Sequence, residues 1–140
     1  MTILNLEQVA ALGYEHAKQE ALKNMEALLA TMAPNPVYEF PTIGKCFKGW
    51  DNTVYFYTQF FANFSPKVCD TTLLNQWVNE QSVVQEYDVT LDFGSRKETH
   101  RILGALMVDG DKLGGERVYT ADAMIRHMVG DMYDSLEPLS

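Results

Sequence analysis

Polar and apolar residues alternate most regularly over residues 83–93. This period of two is typical of a strand that has one face in the core and the other in water or against a partner. The inward face is predicted to carry Val83, Gln85, Tyr87, Val89, Leu91 and Phe93, and the outward face Val84, Glu86, Asp88, Thr90 and Asp92.

Two helical segments precede this strand. Apolar residues recur every three or four positions over residues 4–32, which predicts helix with a bend near residues 23 and 24. Ala-Pro-Asn-Pro at 33–36 ends that helix, because proline cannot donate a backbone hydrogen bond, and a short strand follows at 37–40. Residues 44–49 are predicted to form a loop. The next helix covers residues 52–63, with Asp51 as its N-cap and an aromatic face.

The end of the chain predicts a hairpin and a last helix. A strand over 101–108 reaches the turn signal Asp109-Gly110-Asp111, and the return strand covers 116–120. A short helix over 122–128 stops at Gly130, whereas the stretch around Trp77 has no clear pattern. Helices followed by an antiparallel meander indicate an α+β fold with the helices on one face of the sheet.

Composition sets the size of the protein and excludes several functions. The 140 residues, 46% hydrophobic and 21% charged, suit one domain over 1–140. A net charge of −8 argues against binding nucleic acid or an anionic membrane surface. No apolar run is long enough to span a membrane and no signal-peptide pattern is present, so we expect a cytoplasmic protein. Cys46 and Cys69 fit no metal-ligand spacing, and we expect no metal or other cofactor.

Three segments carry a family resemblance: PVYEFPTIGKCFKGWDNTVYFYTQFF, VVQEYDVTLDF and VDGDKLGGERVYTADAMIRHMVG. Together they resemble the SnoaL-like polyketide cyclase branch of the nuclear transport factor 2-like superfamily, to which ketosteroid isomerases and limonene-epoxide hydrolases are similar. The resemblance covers about residues 5–130. It implies a cystatin-like cone, in which a curved antiparallel sheet wraps around the N-terminal helices. It also implies a homodimer formed through the outer face of the sheet.

The resemblance supplies candidate catalytic residues. Phe40 stands where ketosteroid isomerases have their aspartate base, and Ala121 stands where SnoaL-type cyclases have theirs. Tyr57 matches the helix tyrosine that supports the oxyanion site. Asp122, next to Ala121, and His100, at the start of a strand, are the candidate proton carriers. His16 and His127 lie on predicted helices, where we identify no histidine or carboxylate partner at ligand spacing.

Aromatic side chains are the clearest indication of a ligand pocket, because small-molecule sites are lined mainly by apolar and aromatic groups. The predicted ligand is a hydrophobic or aromatic small molecule. One hypothesis is an isomerase or cyclase that uses acid/base chemistry on a carbonyl compound, with Tyr57 or Tyr119 polarising the oxygen. The alternative is a non-catalytic module for ligand binding or dimerisation. The residues predicted to border the pocket are Tyr38, Phe40, Trp50, Tyr57, Tyr87 and Tyr119.

Overall fold

The computed structural model describes residues 3–139 and has the predicted α+β architecture. Short 3₁₀ or π turns occupy Pro41–Ile43, Phe60–Phe64, Ser65–Lys67 and Gly130–Ser135. The helices are α1 (Leu6–Ala21), α2 (Met25–Leu29), α3 (Trp50–Gln59) and α4 (Asp122–Val129). The strands are β1 (Met32–Phe40), β2 (Lys45–Lys48), β3 (Val68–Asn79), β4 (Ser82–Asp92), β5 (Lys97–Asp109), β6 (Lys112–Tyr119) and β7 (Glu137–Pro138).

These strands form one curved sheet in the order β3-β4-β5-β6-β1-β2-β7. All neighbouring strands are antiparallel except β1 and β6, which are parallel. The helices cover the concave face, and the core lies between helices and sheet. Within residues 3–139, no helix is both long enough and apolar enough to cross a membrane.

The alternation over residues 83–93 has the predicted faces. Val83, Val89 and Leu91 are buried in the core. On the opposite face, Glu86 accepts a hydrogen bond from a β3 asparagine, and Asp88 pairs with an arginine of β5. The strand therefore has one face in the core and one facing outward, because its side chains alternate across the sheet.

The N-terminal segment breaks where the sequence predicted a bend. Asn5 begins α1 with a capping box, and Lys23 adopts a left-handed φ of 55° between the two helices. Asn24 then caps α2. Met32, however, belongs to β1 and not to a helix, so the strand is longer than predicted. A shift in the β1–β6 register between Met32 and Val37 accommodates the two prolines, which cannot donate to the ladder.

Two local predictions were wrong, and one strand was missed. Residues 44–49 contain strand β2 instead of a loop, and α3 begins at Trp50 with Gly49, not Asp51, at the N-cap position. The long strand β3 was not predicted at all. Its ladder with β4 shifts register twice, which interrupts the period of two, and it lies at the sheet edge, where Leu73 and Trp77 are exposed.

Candidate functional site

A cavity of about 560 Å³ lies between α1, the Phe60–Phe64 turn and the concave face of the sheet. Its lining is mainly apolar, with Phe60, Phe64 and Ile102 among the side chains. Such a cavity has the size and lining that small-molecule sites usually have. The larger polar side chains that reach it are His16 and Glu20 from α1, Lys23 from the α1–α2 connection, Gln85 and Tyr87 from β4, and Glu116 from β6.

Glu116 faces the cavity because inward positions alternate along β6. Val118, two residues on, is buried, whereas Arg117 between them points outward and pairs with Glu39 at 3.1 Å. Burial, followed by the nearby charge of Glu20, raises the pKa of Glu116 from 4.5 to about 8. No hydrogen bond from residues 3–139 offsets that rise.

Glu20 approaches from the helix side. Its side chain is 35% exposed and lines the cavity, and burial raises its pKa from 4.5 to about 7. His16 lies one turn earlier, with Nε2 3.6 Å from a Glu20 oxygen. That separation would suit an ion pair, but burial lowers the pKa of His16 to about 4. The imidazole is therefore neutral at neutral pH, and the pair is a contact between a neutral ring and a carboxyl group.

A hydrogen-bonded chain runs beneath the cavity. Thr31 donates to the Leu28 carbonyl at 2.6 Å, and its oxygen is 3.0 Å from Nδ1 of His16. Nε2 of His16 is 3.3 Å from the Tyr57 hydroxyl, which is 2.6 Å from the Tyr38 hydroxyl. His16, Tyr38 and Tyr57 are each at most 2% exposed, so this polar network is shielded from bulk solvent.

A second, smaller cavity of about 20 Å³ lies beside the two phenols. Glu20, Tyr87 and Glu116 line it as well as the large cavity. A space of this size holds about one oxygen-sized group. The two carboxyl groups therefore stand where the large cavity meets the small one.

The predicted ligand-binding residues fall into two groups. Tyr38, Phe40 and Tyr57 line the small cavity, and Tyr87 lines both. Trp50 lies at the start of α3 and is 38% exposed, and Tyr119 lies on the outer face of the sheet and is 37% exposed. Neither residue lines either of the two cavities. Tyr119 points outward because it is one residue away from the inward-facing Val118.

The two predicted proton carriers lie elsewhere in the structure. His100 is on the inward face of β5 but beyond the cavity, where Nε2 is 3.0 Å from Glu98. Asp122 is the first residue of α4 and is half-exposed. Its carboxylate accepts hydrogen bonds from Tyr133 and Arg126, which lower its pKa. The structure therefore does not bring His100 or Asp122 together with Tyr57.

Sequence reasoning missed Glu20 and Glu116 and wrongly left His16 without a carboxylate partner. The signal was present, because residues four apart on a helix lie on one face, as His16 and Glu20 do. Glu116 also alternates with the apolar Val118 in the predicted strand. Across the residues that the structure describes, no group of three or more His, Cys, Asp or Glu side chains could hold a metal ion.

A bent sheet closed by helices around an internal cavity is the cone architecture, and comparison with solved structures agrees. A nuclear transport factor 2-like protein from Anabaena variabilis has a TM-score of 0.69 and 18% identity, over 87% of this chain and 96% of that one. A candidate SnoaL-like polyketide cyclase from Jannaschia has a TM-score of 0.69 and 13% identity, over 88% and 92%. An LEH-like epoxide hydrolase from M. tuberculosis has a TM-score of 0.66 and 14% identity, over 88% and 90%.

The chain therefore has the nuclear transport factor 2-like fold. No protein-family model matches the sequence, and no curated protein matches it. Proteins with this fold carry out different chemistry, so an activity has to be argued from the cavity itself.

Proposed function

We propose that this protein binds a hydrophobic or aromatic carbonyl compound and catalyses proton transfer next to the carbonyl group, as an isomerase or a cyclase would. One observation carries the proposal. Glu20 from α1 and Glu116 from β6 line the same largely apolar cavity, and among residues 3–139 neither forms an ion pair with a lysine or arginine, although Lys23 also lines the cavity. Unpaired carboxyl groups in an apolar site are costly, and acid/base catalysis is a function that needs them.

The two raised pKa values suit complementary roles. With a pKa of about 7, Glu20 is partly ionised at neutral pH and can accept a proton. With a pKa of about 8, Glu116 mostly keeps its proton and can donate a hydrogen bond. Pairs of carboxyl groups whose surroundings give them different protonation states commonly act as base and acid.

The proposed step balances without a cofactor. Glu20 takes a proton from the carbon beside the carbonyl, and the electron pair of that C–H bond moves towards the oxygen. Glu116 stabilises the developing negative charge on the oxygen by donating a hydrogen bond. Return of the proton to a different carbon gives an isomer. Attack of the carbanion on a second carbonyl group of the ligand would instead form a ring.

Hydrogen–deuterium exchange tests the proposal. The probe is 2-tetralone, a bicyclic ketone with exchangeable hydrogens beside its carbonyl, followed by proton NMR in D₂O. We expect the protein to accelerate exchange, and Glu20→Gln to reduce that acceleration by about 100-fold or more. Glu80→Gln, which makes the same change in an exposed turn, is the matched control. Equal exchange by Glu20→Gln and the unchanged protein would refute the assignment of the base.

A non-catalytic binding module is the second candidate, and Phe40 favours it. This residue occupies the place of the aspartate base in the ketosteroid isomerases that the sequence resembles, and it is fully buried. A binding module should take up 2-tetralone without accelerating exchange. The carboxyl variants would then change only the affinity for the ketone.

We also propose a homodimer formed through the outer face of the sheet. The register aligns Trp77 of β3 with Val84 and Ala105 of the next two strands. Trp77 is 53% exposed, and the partly exposed Leu103 and Met107 extend the apolar surface. Sedimentation equilibrium should give twice the chain mass for the unchanged protein and the chain mass for Trp77→Glu. A monomer at all concentrations would refute this interface.

A further inference from the structure

The hydrogen bonds beneath the cavity have a fixed direction. The single hydroxyl proton of Thr31 is directed to the Leu28 carbonyl, so the Thr31 oxygen accepts from Nδ1–H of His16. A neutral imidazole that carries its proton on Nδ1 has a lone pair on Nε2. The Tyr57 hydroxyl therefore donates to Nε2, and the Tyr38 hydroxyl donates to the Tyr57 oxygen.

This direction determines which phenol can serve a ligand. The protons of Tyr57 and Tyr38 are both directed to neighbours inside the protein. Tyr87 lines both cavities, and no hydrogen bond from the described residues contributes to the shift of its pKa. Burial raises that pKa well above 10, so the phenol stays protonated.

Because Gly104 has no side chain, it leaves room on β5 for the side chains of Tyr87 and Glu116. A β-carbon on Gly104 would lie 2.6 Å from Oε2 of Glu116 and 3.8 Å from Cε1 of Tyr87. The two side chains thus share the space that a larger residue on β5 would fill. This space adjoins the small cavity, which both side chains also line.

We propose that Tyr87, and not the family-matching Tyr57, donates the hydrogen bond to the oxygen of the bound carbonyl compound, with the Glu116 carboxyl as the second donor in the space left by Gly104. The inference rests on the proposed function, because it assumes a carbonyl ligand. It assigns Gly104 as a positioning residue for Glu116. Tyr57 then has a structural role, which is to donate a hydrogen bond to the buried His16.

Infrared spectroscopy of bound 2-tetralone, labelled with ¹³C at the carbonyl, measures the hydrogen bonds to its oxygen directly. Donors lower the carbonyl stretching frequency relative to an apolar solvent. We expect a lowered frequency in the unchanged protein, a smaller change in Tyr87→Phe and the full change in Tyr57→Phe. Tyr55→Phe, which removes an exposed phenol bonded to Asp131, is the matched control and should retain the full change.

The binding affinities for a ketone and for the matching hydrocarbon give a second test, because an unfolded variant would lose affinity for both. Tyr87→Phe should weaken binding of 2-tetralone about 3- to 10-fold while leaving binding of the hydrocarbon tetralin unchanged. Gly104→Ala should also reduce the infrared change, because its methyl group displaces the Glu116 carboxyl. A full infrared change in Tyr87→Phe together with its loss in Tyr57→Phe would overturn the assignment.

The two proposals can fail separately. A lowered carbonyl frequency without accelerated exchange would refute proton transfer and leave the oxygen site intact. Accelerated exchange without any lowered frequency would refute the oxygen site and leave proton transfer intact.

Discussion

Glu116→Gln should stabilise the protein above pH 8 and leave its stability near pH 5 almost unchanged. The carboxyl releases its proton near pH 4.5 in the unfolded chain and near 8 in the folded protein. Between these values the folded protein holds a proton that the unfolded chain has lost. The free energy of unfolding therefore falls as the pH rises through this window, and it levels off above the folded pKa. Glutamine has nearly the same shape but stays neutral, so it avoids this loss.

The size of the effect follows from the shift and from the solvent around it. A pKa raised from 4.5 to about 8 corresponds to about 5 kcal/mol, at about 1.4 kcal/mol for each pKa unit. The amide of glutamine also loses hydration in this partly exposed position, so about 5 kcal/mol is an upper bound. We therefore expect a stabilisation of about 2 to 5 kcal/mol at high pH.

Urea unfolding between about pH 5 and pH 9, with the same slope fitted for each protein, measures this difference. Glu80→Gln is again the control, because it removes an equal charge from an exposed turn. It should follow the pH profile of the unchanged protein. If Glu116→Gln follows that profile as well, the carboxyl is not buried in the way the structure indicates.

Three further changes test other parts of the structure by urea unfolding. Tyr57→Phe should destabilise the protein by about 1–3 kcal/mol, because two buried partners lose a hydrogen bond; no measurable loss would contradict the network. Gly115→Ala should cost about 3 kcal/mol or more, since φ is 128° and the new carbon would lie 1.8 Å from the Val37 oxygen. Gly110→Ala, at φ 67° with open space, should cost about 1 kcal/mol, and equal losses would refute the close approach. Hydrogen bonds from its histidine and arginine neighbours lower the pKa of Glu98 to about 2. Glu98→Gln should therefore destabilise the protein above pH 4.5. The difference in unfolding free energy between the two proteins should disappear as the pH falls through about 2.

The parts of the fold that sequence alone predicted are those where a local pattern and the tertiary structure agree. Residues 83–93 alternate because β4 lies inside the sheet with one face in the core. The break after α1 is marked by residues that cap helices. Strand β3 gave no such pattern, because an edge strand with two register shifts has neither a single buried face nor a constant period.

The site was harder to predict because its chemistry depends on distant segments meeting. Glu20 and Glu116 each look like ordinary surface charges in their own segments, and only the cone brings them to one cavity. The space above Gly104 likewise depends on the strands on either side of β5, which supply Tyr87 and Glu116. Family resemblance directed attention to Asp122 and His100, whose surroundings in this chain are ion pairs and hydrogen bonds outside the cavity. The candidate site could therefore be identified only from the positions of these side chains in the folded protein, and not from residue type and spacing.

If Glu116 is catalytic, its loss of a proton should change both the stability and the activity of the protein at the same pH. A carboxyl pair with only a structural role would change the stability alone. Glu20 and Glu116 interact, so the apparent pKa values belong to the pair and not to one residue. Exchange of 2-tetralone should rise as Glu20 ionises near pH 7 and fall as Glu116 loses its proton near pH 8.

The fall in exchange at high pH should coincide with the upper end of the stability profile, and Glu116→Gln should abolish both. An amide can still donate a hydrogen bond, so this variant should keep part of the activity but lose the descending limb of the pH profile. If that limb persists in Glu116→Gln while the stability profile becomes flat, a different group controls the reaction. Glu116 would then be a buried carboxyl that destabilises the folded protein at high pH without taking part in catalysis.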